Sequence, residues 1–317
     1  MPNLDKFQGC IYGLAIGDAL GFPVEFIDRN MIRNVYGSDG VTDFVANHRF
    51  KPGTYSDDTQ QSLCISRSLI KNAYSYINIL MEEISREFVN WSESSDNNRA
   101  PGGTSMGACR NLSKGTHWTR SGIYSDSCGS SMRVAPIGLV YHSDEKKLLE
   151  VARNSSIITH TNPTAVASSV GAALAVAYAC RGDDPNKMLE YVIDKTKDID
   201  RTFADKIMQV QDVLSMNPDK AFDVLGEGWV GHEAVAGALY SFLRSPNDYR
   251  QTILTAANTT GDSDSFACIA GGISGAYNGI QEIPQKWIRD VENTEYLDKI
   301  ARDIFEVSTK PKNNKKL

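Results

Sequence analysis

The sequence predicts an all-α protein, and three observations carry that prediction. Apolar residues recur at three- and four-residue spacing in several separate segments. No stretch alternates apolar and polar residues as a half-buried strand would. Residues 165–180 are apolar on all sides, as a central helix covered by other helices must be.

Taken in order, Phe7, Ile11 and Leu14 share one face of a first helix, and a turn bounded by Gly and Pro follows with Glu25 in it. A further helix directly follows residues 55–59 and runs through Ile70. Residues 92–104 and 121–136 are rich in Gly, Ser, Asn and Pro, and loops of this length inside a compact domain tend to be functional. The Ala and Gly content of the 165–180 helix lets its neighbours approach closely. Further stripes follow at Phe203, Ile207, Val210 and Leu214, at Val235, Leu239 and Phe242, and at Phe266, Ile269, Ala270, Ile273 and Tyr277. No repeat or hinge-like linker divides the chain, so residues 1–308 are expected to form one domain. Residues 309–317 hold four Lys and two Asn with no apolar stripe, and are expected to be a frayed basic tail.

Composition narrows the function classes. A formal net charge of −6 and a pI near 5.5 argue against broad binding to nucleic acid. The most apolar stretch, residues 165–180, is shorter than the roughly 20 residues needed to cross a bilayer. The six cysteines, at 10, 64, 109, 128, 180 and 268, form no CxxC pair and read as reduced, small, buried residues. With no secretory pattern after Met1, a cytoplasmic monomer is expected, without membrane or nucleic-acid partners.

Two short acidic motifs stand out, Tyr55-Ser56-Asp57-Asp58-Thr59 and Gly261-Asp262-Ser263-Asp264-Ser265, each directly before a helix. Either, taken singly, is an adequate helix N-cap. Each, however, offers two carboxylates with flanking hydroxyls where one cap needs a single side chain. If the two helix starts meet, four carboxylates converge, and their repulsion calls for a cation. Oxygen-only ligands suit magnesium or manganese, and no HxxxH or Cys–His spacing offers a zinc site.

The chain resembles the ADP-ribosylglycohydrolases, including the dinitrogenase-reductase-activating glycohydrolases, through six motifs in order. These are Gly17-Asp18-Ala19-Leu20-Gly21 with Glu25, the SDDT at 56–59, and Gly129-Ser130-Ser131-Met132-Arg133 with Pro136. Thr159-His160 with Pro163, Gly226-Glu227-Gly228-Trp229 with Glu233, and the GDSDS at 261–265 complete the set. The resemblance implies a compact orthogonal multi-helix bundle. It also implies two Mg2+ ions, with Mn2+ as the alternative, held by Ser56, Asp57, Asp58, Asp262, Asp264 and Ser265. Thr is usual at the first and last of these positions, and Ser keeps its hydroxyl while losing the methyl.

Glu25 resembles the family's mobile catalytic glutamate and takes the general acid/base role. Gly129, Ser130, Ser131 and Met132 should offer backbone amides and little bulk to a diphosphate, with the turn around Gly103 adding to that cradle. His160 is a ribose or phosphate contact, and Asp18 an organiser of nearby groups. Tyr124 is a candidate to stack on adenine; Asp96 has an acidic counterpart near the ribose in some relatives, but the local match does not extend to it.

The implied activity is metal-dependent removal of ADP-ribose from a modified protein, releasing free ADP-ribose, most simply from arginine. Competing readings are a non-catalytic ADP-ribose binder or structural protein that kept the fold, a hydrolase of serine or small-molecule linkages, and a metal phosphoesterase.

Overall fold

Glycines at 9, 13, 17 and 21 recur every fourth residue and therefore line one face of the first helix, Leu4–Gly21. That face lies directly against the helix Ser263–Asn278, whose Ala267, Gly271 and Gly275 present an equally bare surface. A methyl group placed on Gly17 would stand 2.6 Å from the carbonyl carbon of Ala267, and one on Gly271 2.8 Å from that of Gly13. Two backbones thus touch with no side chain between them. The seam joins the N-terminal segment to one more than 240 residues away, as the Ser263 hydroxyl donating to the Gly21 carbonyl illustrates.

The computed structural model describes residues 3–47 and 49–310. Among them are seventeen α-helices and four short 3-10 turns, with β-pairing confined to isolated bridges. The all-α expectation holds. The helix Pro163–Arg181 outruns the 165–180 stretch and, contrary to the expectation from that stretch, is long and apolar enough to cross a membrane; every residue from Thr164 to Cys180 is nevertheless buried inside the bundle, in agreement with the central position expected of it. One continuous apolar core runs from Phe7 in the first helix to Val307 in the last, Thr294–Thr309. Phe7 meets Phe305 edge to face at 5.2 Å, so the two ends of the described chain share one core.

The expected stripes are buried, with Leu214 and Tyr277 only half so. The loop foreseen at 92–104 separates the helices Ile77–Ser92 and Gly103–Ser113. The loop foreseen at 121–136 contains a 3-10 turn, Cys128–Ser130, and leads into the helix Ala135–Val140. At the basic end, Thr309 is the last helical residue, its hydroxyl donating to the Phe305 carbonyl at 3.2 Å, so the helix outruns the expected boundary by one residue. Residues 311–317 of the expected tail lie outside the described residues.

Candidate active site and metal centre

The glycine seam ends where the chemistry begins. At its end the chain leaves Gly21 through the turn Phe22–Val24 and delivers Glu25; on the other side of the seam, Asp262 caps the helix that carries Asp264 and Ser265. Two ties hold these turns together: Phe26 donates its amide to the Gly261 carbonyl at 3.2 Å, and Asp262 donates its own to the Glu227 carbonyl at 2.8 Å. Phe26 sits at φ 66°, a left-handed conformation that costs a bulky residue about 1–3 kcal/mol. The Gly226–Trp229 turn is braced in its turn by Glu233, which accepts the amides of Glu227 and Gly228 at 3.1 and 3.2 Å.

The helix Asp57–Asn72 starts against the same place, and Asp18 fixes it there. This fully buried carboxylate accepts the amides of Ser56 and Thr59 at 2.8 and 2.9 Å and the Thr59 hydroxyl at 2.5 Å. It therefore satisfies backbone donors at a helix start, the organising role expected of it. The Ser56 hydroxyl accepts the Asp58 amide at 3.3 Å, and the Ser265 hydroxyl donates to Asp58 at 2.9 Å. The two acidic helix starts meet.

One carboxylate oxygen each from Glu25, Asp262 and Asp264 lies within 4.8 Å of the others. Burial, and then the neighbouring Asp264, raise Asp57 and Asp58 well above the usual carboxylate range. Asp264 is raised by burial and by Asp262, while burial raises Asp262 itself. Glu25 is pushed up to about 11 by burial and by the charges of Asp264 and Asp262, and Asp18 to about 7 by burial and Asp264. So many carboxylates cannot all be ionised at such separations without a cation.

A cavity of about 410 Å³ opens over this cluster, within the size range of small-ligand sites. Glu25, Asp57, Asp58, Asp262, Asp264 and Ser265 form its floor; Gly103, Gly129, Met132 and His160 line its wall. A methyl on Gly103 would meet nothing within 4 Å, whereas one on Gly129 would stand 3.0 Å from the His160 ring. Of the expected diphosphate cradle, Ser130 and Ser131 do not line the cavity. The Ser130 and Ser131 hydroxyls turn inward, to the carbonyls of Ala165 and Cys128, and both side chains are buried away from the cavity. The amides of Ser131 and Met132 already donate to the Cys128 carbonyl, at 2.7 and 3.3 Å, because the chain closes a tight turn there. Tyr124, three-quarters exposed, and Asp96 do not line the cavity.

Several residues at the site carried no expected role. Cys128 lines the cavity, and its thiol donates to Asp262 at 2.8 Å. Gln61 donates to Asp57 at 2.7 Å and accepts from Arg133 at 2.7 Å, so its amide orientation is unambiguous. Arg133 is fully buried, with its guanidinium 4.4 Å above the Phe88 ring, and burial lowers it to about 10. At the rim, Phe26 stacks on Trp229 with centroids 5.0 Å apart and planes 19° from parallel; the Trp229 indole N–H donates to Glu227 at 3.1 Å.

The ADP-ribosylglycohydrolase family model matches residues 1–314. An uncharacterized protein of Archaeoglobus fulgidus is 35% identical, over 96% of this chain and 97% of its own. The human ADP-ribosylhydrolase ARH3 is 24% identical over 97% and 95%, and the ADP-ribosylarginine hydrolase Tri1 of Serratia proteamaculans 27% identical over 96% and 80%. A solved structure of an ADP-ribosylglycohydrolase-related protein complex superposes with a TM-score of 0.71 at 25% identity, covering 96% of this chain and 98% of that one.

Proposed function

Because the chain belongs to the ADP-ribosylglycohydrolase family, whose members hydrolyse glycosidic bonds to ADP-ribose, we propose that it removes ADP-ribose from arginine side chains of proteins with two bound Mg2+ ions. The observation that carries this reading is the convergence of Glu25, Asp262 and Asp264 with the Asp57-Asp58 helix start on the floor of one cavity.

The donor set fits such ions. It is all oxygen, hard and anionic: Asp57, Asp58, Asp262, Asp264 and Ser265 would hold them from the cavity lining and Ser56 from the buried cap of the Asp57–Asn72 helix, with Mn2+ as the other cation of matching preference. Bound there, the cations would supply charge that polarises a water molecule and the ribose hydroxyls.

The protein's own residues divide the remaining work. Glu25 exchanges the proton: as an acid it can give one to the leaving nitrogen as the bond to the anomeric carbon breaks. A carboxylate in that place takes one from the attacking water. Gly103 and Gly129 leave room for a backbone-lined approach to the diphosphate. His160, fully buried beside Arg133 and lowered to about 3, stays neutral and contributes a fixed hydrogen bond rather than charge.

Arginine is favoured at the rim. The exposed face of Phe26, backed by Trp229 and flanked by Glu227, suits a planar guanidinium, which stacks on aromatic rings and pairs with carboxylates. The Tri1 relatives, which are ADP-ribosylarginine hydrolases, support the same linkage.

Free ADP-ribose should be measured from a panel of arginine-, serine- and nucleotide-linked substrates, with Mg2+ and with chelator. Release from the arginine substrate, abolished by chelator, is expected. Equal or faster release from serine would overturn the linkage, and full activity in chelator would overturn the metal.

A further inference from the structure

We propose that Arg133 and Thr159 fix the direction of a hydrogen-bond chain through His160, so that the chain ends in the Ser127 hydroxyl as a donor aimed into the cavity at an anionic oxygen of the ligand.

The chain is continuous. Arg133 Nη2 lies 2.7 Å from Thr159 Oγ1, which lies 2.7 Å from His160 Nδ1; His160 Nε2 lies 2.9 Å from Ser127 Oγ. Its direction follows from its fixed end. A guanidinium has no acceptor, so Arg133 donates and Thr159 accepts. The Thr159 proton then has two places to go: His160 Nδ1 at 2.7 Å, or the Ser156 carbonyl at 3.5 Å, which is at the limit of a hydrogen bond. The short contact wins. Nδ1 therefore accepts, the ring carries its proton on Nε2, and Nε2 donates to Ser127.

A second branch arrives at the same oxygen. Thr104 Oγ1 and the Ser127 amide both donate to Ser125 Oγ, at 3.1 and 3.3 Å, and Ser125 Oγ donates to Ser127 Oγ at 3.2 Å. With both lone pairs of Ser127 Oγ engaged, its own proton is the one donor left over, on a half-buried residue that lines the cavity. A donor with its acceptor capacity filled discriminates: it binds a phosphate or carbonyl oxygen and repels a donor. Arg133 and Thr159 are positioning residues here, and Ser127 is the contact.

The ligand half of this proposal rests on the ADP-ribose reading above, whereas the direction of the chain does not. The tautomer of His160 is read by nitrogen-15 correlation spectra of histidine-labelled protein, and ADP-ribose binding by calorimetry in Mg2+. The Nε2-protonated form is expected in the wild type, with mixed tautomers in Thr159→Val and recovery in Thr159→Ser. Ser127→Ala should weaken ADP-ribose binding about tenfold or more, the size of one hydrogen bond to a charged group. An Nδ1-protonated wild type would overturn the proposal, as would unchanged affinity in Ser127→Ala. If the wild type bound no ADP-ribose, the functional reading would fall, and the tautomer alone would still judge the chain's direction.

Discussion

Replacing Gly271 with Ala should damage the protein, while replacing its neighbour Gly272 should not. A methyl on Gly271 would stand 2.8 Å from the Gly13 carbonyl carbon, whereas carbon atoms rest about 3.5–4 Å apart, so the two helices must part by roughly 1 Å. A gap of that size forfeits up to half of each contact's attraction. If about 40 atom pairs at about 0.15 kcal/mol are affected, the loss is about 2–3 kcal/mol. Residual strain against a backbone that cannot rotate away adds about 1–3 kcal/mol. The better helix propensity of Ala returns about 1 kcal/mol. The net is about 3 kcal/mol, or roughly 4–5 °C in Tm at the unfolding entropy of about 0.7 kcal/mol/K expected for 317 residues. A methyl on Gly272 would meet the Ala135 Cβ at 3.4 Å, an ordinary contact, so only the propensity gain remains. Scanning calorimetry of the two variants gives the comparison. Gly271→Ala should also bind Mg2+ more weakly, because it displaces the helix that presents Asp262 and Asp264. Equal Tm values for the two variants would refute the seam as the element that positions the site.

Three further outcomes follow from the same geometry. Glu25→Gln should lower kcat by about 10²–10⁴, the usual contribution of a proton-transferring group, while ADP-ribose affinity measured by calorimetry is retained; unaltered turnover would remove Glu25 from the chemistry. Asp57→Ala and Asp262→Ala should each abolish detectable ADP-ribose release and weaken Mg2+ binding in titration, and turnover in either would contradict the assignment. Freed of divalent ions, the protein should be most stable near the ordinary carboxylate range of about pH 4–5 and lose stability as pH rises. Its acidic groups hold protons more tightly folded than unfolded, Asp18 to about 7 and Glu25 to about 11, so that contribution disappears as pH climbs through those values. His160, lowered to about 3, opposes this below about pH 6.5, but it is one group against six carboxylates. Mg2+ should therefore raise Tm more at about pH 8 than at about pH 5, and the reverse order would contradict the origin of the shifts.

Much of this architecture is legible in the residues alone, because helix stripes and caps are local. Phe203, Ile207 and Val210 announce a buried face by spacing, and the SDDT and GDSDS motifs announce acidic helix starts by composition. What local pattern does not reveal is which elements touch. The glycines at 9, 13, 17 and 21 carry no hydrophobic signal, yet they let two helices touch backbone to backbone, and so bring Glu25 and Asp262 together. The Ser130 and Ser131 hydroxyls belong to a Gly/Ser-rich loop by composition, but a tight turn faces them inward. Arg133 stands alone in an apolar run, which is a cue to a buried cation; its partners Gln61 and Thr159 are 72 and 26 residues away, and only tertiary packing brings them together. Cys128 reads as one more buried thiol until the fold sets it against Asp262.

The central claim is that two distant helix starts enclose a pair of divalent cations, and diffraction from crystals soaked in Mn2+ tests it most directly. Anomalous difference maps should show two peaks, one contacted by Asp57 or Asp58 and both within reach of the Asp262–Asp264 turn. A single peak, or peaks only elsewhere on the protein, would contradict the account.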